Sequence, residues 1–599
     1  MNTKQLRLVF YDFEVFYDDW CCTFIDYPSM KRKIIINNRD EIVDFYNKCK
    51  DRYIFCGYNN VHYDDIILKA LVIGEDELGI SLKELSDRLV HGESAFQISN
   101  KFYKVPLISY DCMINKAMGL KQYEAFFGSK IYESNVDFNL QRKLTKEEME
   151  ETISYNIHDV EQTIKLFELT KDDFNAHVGL ITTFNLPLTS FSKTKARLSA
   201  TILDGERVHG LDDEMDYDFP DTLDLGKYEY VKEHFDTKRY LTYVNEKGTT
   251  KKNQLETEVY GLKSLYGFGG FHGALEKYYT DNTDGSLIVH SDIASLYPSI
   301  MIQYGLLSRG VKDPSKYTDI LNKRLELKHQ GKKKEQAPYK IVLNSTYGIT
   351  LDKYSSLYDP KHGRSICIYG QLLMTDLLDK LEDEFGDRCI PIQYNTDGII
   401  MKLLDKNDFP RYMEVCEKWS KRVRLNLEHD IIEKIYQLNV NMYVAVFEGG
   451  KLERKGKYFQ ETSILKNDLA IMPKAIVDYI IYGKSVEDTI NECDDLIMYQ
   501  KVCKIGKTYK YAMYGDKPLK EKVIRVFASK KDLPGLFKVK DTINKDGEEV
   551  ESIQKVADTP ESCYIDNGDI TNKKCDDNLD KDYYINIIKK ELKRMKVMD

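Results

Sequence analysis

The most constraining feature of the sequence is a short apolar run that ends in a carboxylate. Residues 287–290 (Leu-Ile-Val-His) precede Ser291 and Asp292, and a segment with Tyr297 and Pro298 follows. An apolar run that gives way to turn-forming residues predicts a buried strand, which would deliver Asp292 into a cleft. A single acidic residue at a strand end is common, so its meaning depends on what else the chain brings to that cleft.

A second candidate carboxylate, Asp397, lies in a segment that predicts a β-hairpin. Residues 390–401 are rich in strand-forming side chains on both sides of Asp397-Gly398. An Asp-Gly pair between two such runs is typical of a tight hairpin turn. Sheet strands would then present both Asp292 and Asp397.

The segment 309–340, between these two carboxylates, is basic, with ten Lys or Arg against four Asp or Glu. Asp313-Pro314 predicts the start of a helix that runs through Lys328 and ends at Gly331. A second helix is predicted to end at Gly348. The residues that share one face of it are Lys340, Asn344 and Tyr347.

The two predicted helices favour a phosphate clamp. Arg324 and Lys328 are one turn apart, so both cations face the same way. The alternative is an amphipathic helical hairpin that only builds a core. A second basic run, residues 501–531, has ten Lys or Arg against two Asp or Glu, and solvated surface is its competing interpretation.

The N-terminal segment contains another candidate site. Residues 6–14 alternate as a strand does, which places Asp12 and Glu14 on the same face. Carboxylates held this close repel each other unless a cation neutralises them, so the pair suggests a divalent metal. Two later segments carry further candidates. They are Asn60, Tyr63 and Asp64 in the first, and Tyr155 and Asp159, one helical turn apart, in the second.

Taken in chain order, these segments resemble two known sets of motifs. The segments with Asp292, Lys340 and Asp397 resemble motifs A, B and C of the family B DNA polymerases. The segments with Asp12-x-Glu14, Asn60 to Asp64, and Tyr155 to Asp159 resemble the three motifs of DEDD-type 3'-5' proofreading exonucleases. A bacteriophage or mobile-element enzyme of this family is the closest resemblance.

The resemblance implies a multidomain fold of the α/β and α+β classes, with an RNase H-like exonuclease domain followed by a right-hand polymerase of palm, fingers and thumb. The expected boundaries are 1–175 for the exonuclease domain, 176–255 for a connecting region, 256–308 and 351–456 for the palm, 309–350 for the fingers, and 457–599 for the thumb and C-terminal region.

The implied function is DNA-templated extension of a primer 3'-hydroxyl by two-metal nucleotidyl transfer, with 3'-5' proofreading, in the replication of phage or mobile-element DNA. Each active site would use two Mg²⁺ or Mn²⁺ ions, held by hard oxygen ligands. The implied metal ligands are Asp292 and Asp397 in the polymerase site, and Asp12, Glu14, Asp64 and Asp159 in the exonuclease site. Tyr155 would orient the attacking water.

The resemblance also assigns substrate contacts. The implied dNTP-binding residues are Ser295, Leu296, Tyr297, Arg324, Lys328, Lys340, Asn344 and Tyr347, with Tyr297 excluding a 2'-hydroxyl by its bulk. The implied DNA-binding residues are Asn60, Tyr63, Gly269, Gly270, Tyr443, Lys455 and Lys457. Gly269 and Gly270 belong to a segment similar to the family's YxGG loop, although a simple hairpin turn explains them nearly as well.

The sequence departs from the family pattern at four positions. Motif C begins with Gln393 in place of Tyr and has Asn395 in place of its first acid. Asn441 replaces the cation that normally precedes Tyr443 by two residues, and Val15 stands where related phage enzymes often have Thr. We expect activity to survive, with an exonuclease that carries a degenerate polymerase domain as the alternative.

Three other classes stay open: an exonuclease with a structural C-terminal half, an RNA-templated polymerase, and a non-catalytic DNA-binding protein. A reverse transcriptase would show a YxDD-like hairpin, which residues 393–398 do not match. The 48 residues from Asp292 to Lys340 and the 57 from Lys340 to Asp397 leave little room for terminal-protein insertions. We therefore expect ordinary primer extension.

Composition limits the partners. The net charge of -10 over 599 residues confines any nucleic-acid site to local basic surfaces. The twelve cysteines contain no CxxC pair, and no long apolar run or signal peptide is present. We expect a monomer in the cytoplasm of a bacterial host that binds primer-template DNA and dNTPs, with replisome proteins as candidate partners and no membrane contact.

Overall fold

The computed structural model describes residues 7–598, except 213, 215, 238–241 and 544–547. The chain forms two compact units. Unit 1 comprises Met1–Lys193, Thr462–Ala475 and Lys484–Lys589, and unit 2 comprises Thr194–Glu461, Ile476–Gly483 and Lys590–Asp599. Both units mix helices and strands, so the predicted mixed, multidomain class is confirmed at this level.

The N-terminal part of unit 1 is a five-stranded sheet in the order β3-β2-β1-β4-β5, with β1, β4 and β5 parallel. Its strands are β1 (Arg7–Val15), β2 (Trp20–Tyr27), β3 (Lys31–Ile36), β4 (Tyr53–Gly57) and β5 (Ser109–Asp111). Its helices are α1 (Arg39–Cys49), α2 (Asp64–Ile73), α3 (Glu75–Leu78), α4 (Leu82–Val90), α5 (Ala95–Ile98), α6 (Leu120–Phe126), α7 (Lys146–Leu169) and α8 (Lys171–Thr183).

Strand alternation divides the core of this sheet between its two faces. Tyr11 and Phe13 of β1 pack on one face, while Phe10 packs on the other against Val160 and Phe167 of α7. Because side chains alternate along a strand, Asp12 and Glu14 share the α7 face with Phe10. Thr145 caps α7 through a capping box with Glu148, which fixes where this helix begins.

Unit 2 is built on a ten-stranded sheet in the order β17-β16-β15-β12-β14-β13-β10-β9-β8, with β11 paired to β15. The strands of this part of the chain are β6 (Thr242–Val244), β7 (Thr250–Lys252), β8 (Leu255–Val259), β9 (Leu262–Tyr266), β10 (Phe271–Ala274), β11 (Tyr278–Asp281), β12 (Leu287–Ile293), β13 (Cys389–Asn395), β14 (Gly398–Leu403), β15 (Leu427–Asn439), β16 (Met442–Phe447) and β17 (Leu452–Lys455). The helices are α9 (Lys195–Ile202), α10 (Glu229–Thr237), α11 (Leu296–Gln303), α12 (Pro314–His329), α13 (Lys333–Thr350), α14 (Pro360–Phe385) and α15 (Phe409–Val423).

The predicted helical hairpin is present as α12 and α13. Asp313 caps α12 through its side chain, as expected. The predicted end of the second helix at Gly348 is wrong, because α13 continues to Thr350. The buried side chains of Ile349 and Thr350 pack in the core, and this packing outweighs the helix-ending tendency of glycine.

The remaining elements are α16 (Ile471–Tyr482), α17 (Val486–Glu492), β18 (Lys501–Lys504), β19 (Tyr511–Tyr514), β20 (Lys517–Leu519), β21 (Val523–Ala528), β22 (Leu536–Ile543), β23 (Glu549–Lys555), β24 (Cys563–Ile565) and α18 (Lys581–Arg594). They include a three-stranded sheet, β18-β21-β24, and a four-stranded sheet, β20-β19-β22-β23. Within unit 1, the fully buried Arg525 of β21 donates to the carbonyl oxygens of Ala125 (3.0 Å) and Ser129 (2.9 Å). In the described part of the chain, no helix combines the length and apolarity needed to cross a bilayer.

Candidate functional site

Two groups of carboxylates stand out, one inside each unit. The unit 1 group comprises Asp12 and Glu14 of β1, Asp64 at the start of α2, and Asp159 of α7. The Phe13 backbone N–H donates to Asp64 Oδ1 (2.9 Å), and Asn156 Nδ2 of α7 donates to Asp12 Oδ2 (2.7 Å). These bonds join β1 to the start of α2 and to α7, the three elements that carry the four predicted metal ligands.

The electrostatics of the unit 1 group favour the binding of a cation. Burial and the negative charge of Asp159 raise the pKa of Asp12 to about 8. Burial and the charge of Asp12 likewise raise the pKa values of Glu14 and Asp64. Carboxyl groups buried together resist ionisation unless a cation joins them, and oxygen-rich sites of this kind suit Mg²⁺ or Mn²⁺.

This group also contains a cation that was not identified from the sequence, Lys121 of α6. Its Nζ lies 2.5 Å from Asp159 Oδ1 and 3.0 Å from Glu124 Oε1, and 4.5 Å from the ring centroid of Tyr155. Burial opposes its charge, but Asp159 and Glu124 outweigh burial and raise the pKa of Lys121 to about 12. Lys121 therefore stays charged among buried acids.

Glu124 was also missed. This fully buried carboxylate lies with His158 and Asp159 in a group whose ligand atoms are all within 4.8 Å of one another. The only sequence signal was the i,i+3 spacing of Lys121 and Glu124, which is too common to be informative.

The two residues of unit 1 that are predicted to contact DNA, Tyr63 and Asn60, have different hydrogen-bond partners. Tyr63 donates to or accepts from Ser86 Oγ at 2.7 Å. Asn60 was expected to hold DNA, but its side chain is fully buried and its amide donates to Asp65 Oδ1 (3.0 Å) and Ser109 Oγ (2.8 Å). Its amide oxygen is also buried and forms no hydrogen bond within the described part of the chain, so the DNA contact of Asn60 stays a prediction.

In unit 2, Asp292 and Asp397 lie on adjoining elements of one sheet. Asp292 pairs with Gly398 across β12 and β14, and Asp397 occupies the β13–β14 turn. The Ile293 N–H donates to the Asp397 carbonyl oxygen at 2.8 Å. A Cβ atom at residue 398 would lie only 2.9 Å from Asp292 Oδ1, so the turn needs glycine to make room for that carboxylate.

Ser291 precedes Asp292 on β12, so its side chain points to the opposite face of the sheet. Its buried hydroxyl forms hydrogen bonds of 2.8 Å with the Tyr412 hydroxyl and with His429 Nδ1. Burial and the charges of Asp397 and Glu428 raise the pKa of Asp292 to about 7, and burial also raises the pKa of Asp397. These two acids therefore also fit a site for divalent cations.

The two cations predicted on α12 lie next to residues that flank these acids. Arg324 Nη1 donates to Ser295 Oγ at 3.0 Å, and Lys328 Nζ lies 3.2 Å from Glu428 Oε1. Lys340 and Asn344 are exposed on α13.

The aromatic residues predicted at the nucleotide site form a pair. The rings of Tyr297 and Tyr347 stack with centroids 4.0 Å apart. Ser295 has a left-handed backbone (φ 53°), whereas the side chain of Leu296 is buried and packs in the core. Leu296 can therefore contribute only its backbone to a ligand.

The predicted DNA-binding glycines form the β9–β10 hairpin loop, in which Phe271 pairs with Tyr266. A Cβ atom at Gly270 would lie 2.9 Å from Thr396 Oγ1, so this loop lies against the turn that carries Asp397. Gly269 has open space around it.

The last group of predicted DNA contacts lies on β16 and β17. Tyr443 pairs with Lys455 across these strands, and its hydroxyl donates to Glu453 Oε1 at 2.5 Å. Lys455 thus places a cation beside Tyr443, although Asn441 stands where the family pattern has one. Lys457 is exposed, with its Nζ 4.6 Å from the ring centroid of Tyr458.

Two of the positions that depart from the family pattern lie on β13. Gln393 is buried on β13, and Asn395 pairs with His272 of β10. Glu428 and Glu453 were not identified from the sequence, although the charges of both raise the pKa of Asp292. Only strand register brings them near Asp292, and register is a property that sequence spacing alone does not give.

No family model and no curated protein matches this sequence. Among solved structures, a family B DNA polymerase from the hyperthermophilic archaeon Pyrobaculum calidifontis aligns over 99% of this chain and 78% of that chain. The identity is 15% and the TM-score 0.41, values too low to assign the chain to a family.

Proposed function

We propose that the chain is a DNA-templated DNA polymerase with a 3'-5' proofreading exonuclease. The observation that carries the proposal is that Asp292 on β12 and Asp397 in the β13–β14 turn lie next to each other in one sheet. Arg324 and Lys328 of α12 contact residues that flank these two acids. A separate carboxylate group in unit 1 supports the second activity. The motif resemblance favours a phage or mobile-element enzyme that acts as a monomer with replisome proteins.

In the polymerase site, Asp292 and Asp397 would hold the divalent cations. Those ions supply the positive charge that activates a primer hydroxyl and stabilises a leaving pyrophosphate. Arg324, Lys328 and Lys340 would neutralise the triphosphate. Tyr297 would lie under the sugar and exclude a 2'-hydroxyl.

In the exonuclease site, the ions would be held by the four carboxylates of unit 1. Tyr155 lies on α7, one turn before Asp159, and would orient the attacking water with its phenol. Lys121 would keep Asp159 ionised and in a fixed orientation, since its ammonium group is bonded to that carboxylate.

Extension of a labelled primer-template tests the proposal. With Mg²⁺, wild type should lengthen the primer when dNTPs are present and shorten it when they are absent. Asp12→Ala should lose only the shortening, and Asp292→Ala only the lengthening. If extension persists unchanged in Asp292→Ala, the polymerase assignment is wrong.

The amide at Asn395 favours a second candidate, an exonuclease with a degenerate polymerase domain. The same assay separates the two, because a degenerate enzyme would only shorten the primer, with or without dNTPs.

A further inference from the structure

Glu428 lies between the predicted metal ligand Asp292 and the cations of α12 that are predicted to bind the triphosphate. It lies on β15 directly opposite Asp292 of β12, and its charge raises the pKa of that aspartate. Its side chain is 61% exposed and is therefore accessible to a charged ligand.

The partners of Glu428 are the cations predicted to bind the triphosphate. Its Oε1 lies 3.2 Å from Lys328 Nζ. Its charge also acts on Arg324, where it opposes the effect of burial on the pKa of the guanidinium group. The Glu428 carboxylate thus interacts with the same two cations that phosphate oxygens would need as partners.

We infer that Glu428 is an internal competitor of the nucleotide triphosphate and sets the affinity of the polymerase site for dNTPs. This inference rests on the proposed polymerase function. In the free enzyme, Glu428 pairs with Lys328 and holds α12 near Asp292. An incoming triphosphate replaces Glu428 as the partner of Lys328, and the negative charge of Glu428 then repels it.

The size of the effect follows from exposure. An ion pair with side chains 49% and 61% exposed is screened by water, so its loss changes affinity only modestly. We expect a change of about two- to fivefold in dNTP affinity. A larger value would require a buried pair, which this one is not.

Steady-state single-nucleotide extension tests the inference, with wild type, Glu428→Gln, Lys328→Gln and the double variant compared. Glu428→Gln should lower the KM for dNTP about two- to fivefold, with kcat changed less than twofold. Lys328→Gln should raise KM. In the Lys328→Gln background, the Glu428→Gln effect should shrink, because the competed cation is gone.

Asp430→Asn provides a matched control. Asp430 is exposed on the same face of β15, pairs with His290 and also raises the pKa of Asp292. Its removal takes away a similar charge two residues further along the strand and should leave the KM for dNTP unchanged. An equal fall in KM for both variants would show a general charge effect and overturn the specific role of Glu428.

Titration of dCTP or dGTP into the enzyme–primer-template complex with Ca²⁺ measures affinity without turnover. Tighter binding by Glu428→Gln supports the inference, and unchanged or weaker binding overturns it. A fall in kcat with a higher Mg²⁺ requirement would instead make Glu428 a metal ligand and also overturn it. Extension by wild type with an unchanged KM in Glu428→Gln ends this inference alone, whereas no extension by wild type ends the proposed function as well.

Discussion

The two carboxylate groups differ in how the protein's own cations contact them. In unit 1, one internal cation, Lys121, is bonded to two of the acids, Asp159 and Glu124. In unit 2, the cations lie on an outer helix and reach exposed or half-buried partners. The first arrangement is permanent, and the second leaves its cations free to exchange one anion for another.

The largest expected effect separates the two sites completely. Asp397→Asn removes one of two predicted metal ligands from unit 2, and primer extension should fall more than about 100-fold. Shortening of single-stranded DNA should stay within twofold of wild type, because that site is built from other residues. Loss of both activities would show that the sites are not independent.

A smaller but still large effect is expected at Lys121. Lys121→Met leaves Asp159 and Glu124 buried without their cation, so exonuclease activity should fall about 10- to 100-fold and unfolding should become easier by about 3 kcal/mol. Assays of single-strand degradation and thermal melting measure the two effects. Lys121→Arg is the matched control and should keep most of the stability. Unchanged nuclease activity in Lys121→Met would remove the lysine from the site.

Stability without metal should depend on pH in a defined direction. The pKa of Asp12 rises to about 8 in the folded chain, above about 3.9 for an unfolded aspartate. The folded state therefore binds this proton more tightly, and its contribution is present at low pH and lost as pH rises towards 8. In EDTA the melting temperature should fall between pH 6 and pH 8.5, and Mg²⁺ should restore it.

An Asp12→Asn variant is the control for this titration, because it keeps the shape without the ionisable group. It should show a weaker fall in melting temperature over the same range. An equally steep fall in the variant would assign the pH dependence to other groups.

The smallest effect is expected on the primer side of unit 2. Lys455 lies beside Tyr443 on paired strands, in a position suited to a phosphate contact. Lys455→Ala should weaken primer-template binding about two- to fivefold and reduce the salt dependence by about one charge. Fluorescence anisotropy at several salt concentrations measures both. Lys451→Ala, an exposed lysine on the turn before β17, is the matched control.

Local features of the fold were predictable wherever one segment determines its own shape. The alternation of residues 6–14 placed Asp12 and Glu14 on one face of β1, and Asp313-Pro314 gave the start of α12. The hairpin around Asp397 was predicted from its flanking strand-forming runs, although its loop is Thr396-Asp397 and Gly398 already belongs to β14. In each case the informative residues are neighbours in sequence.

Contacts between distant segments were not predictable. Lys121 joins Asp159 from 38 residues away, and Glu428 reaches Asp292 only through the register of β15 on β12. The Asn60 amide nitrogen likewise bonds to Ser109, 49 residues further along the chain. The two compact units also interleave along the chain, so residues far apart in sequence belong to one unit.

This interleaving has a consequence for how the protein is made. Arg525 is synthesised 400 residues after Ala125, whose carbonyl oxygen it binds inside unit 1. The ribosome therefore releases the first strands of unit 1 long before the partners that complete their unit exist. Most of unit 2, residues 194–461, emerges in the meantime and can fold first. Unit 1 is thus the last to be completed, and a ribosome that stalls after residue 461 would leave a chain with the ten-stranded sheet complete and unit 1 unfinished.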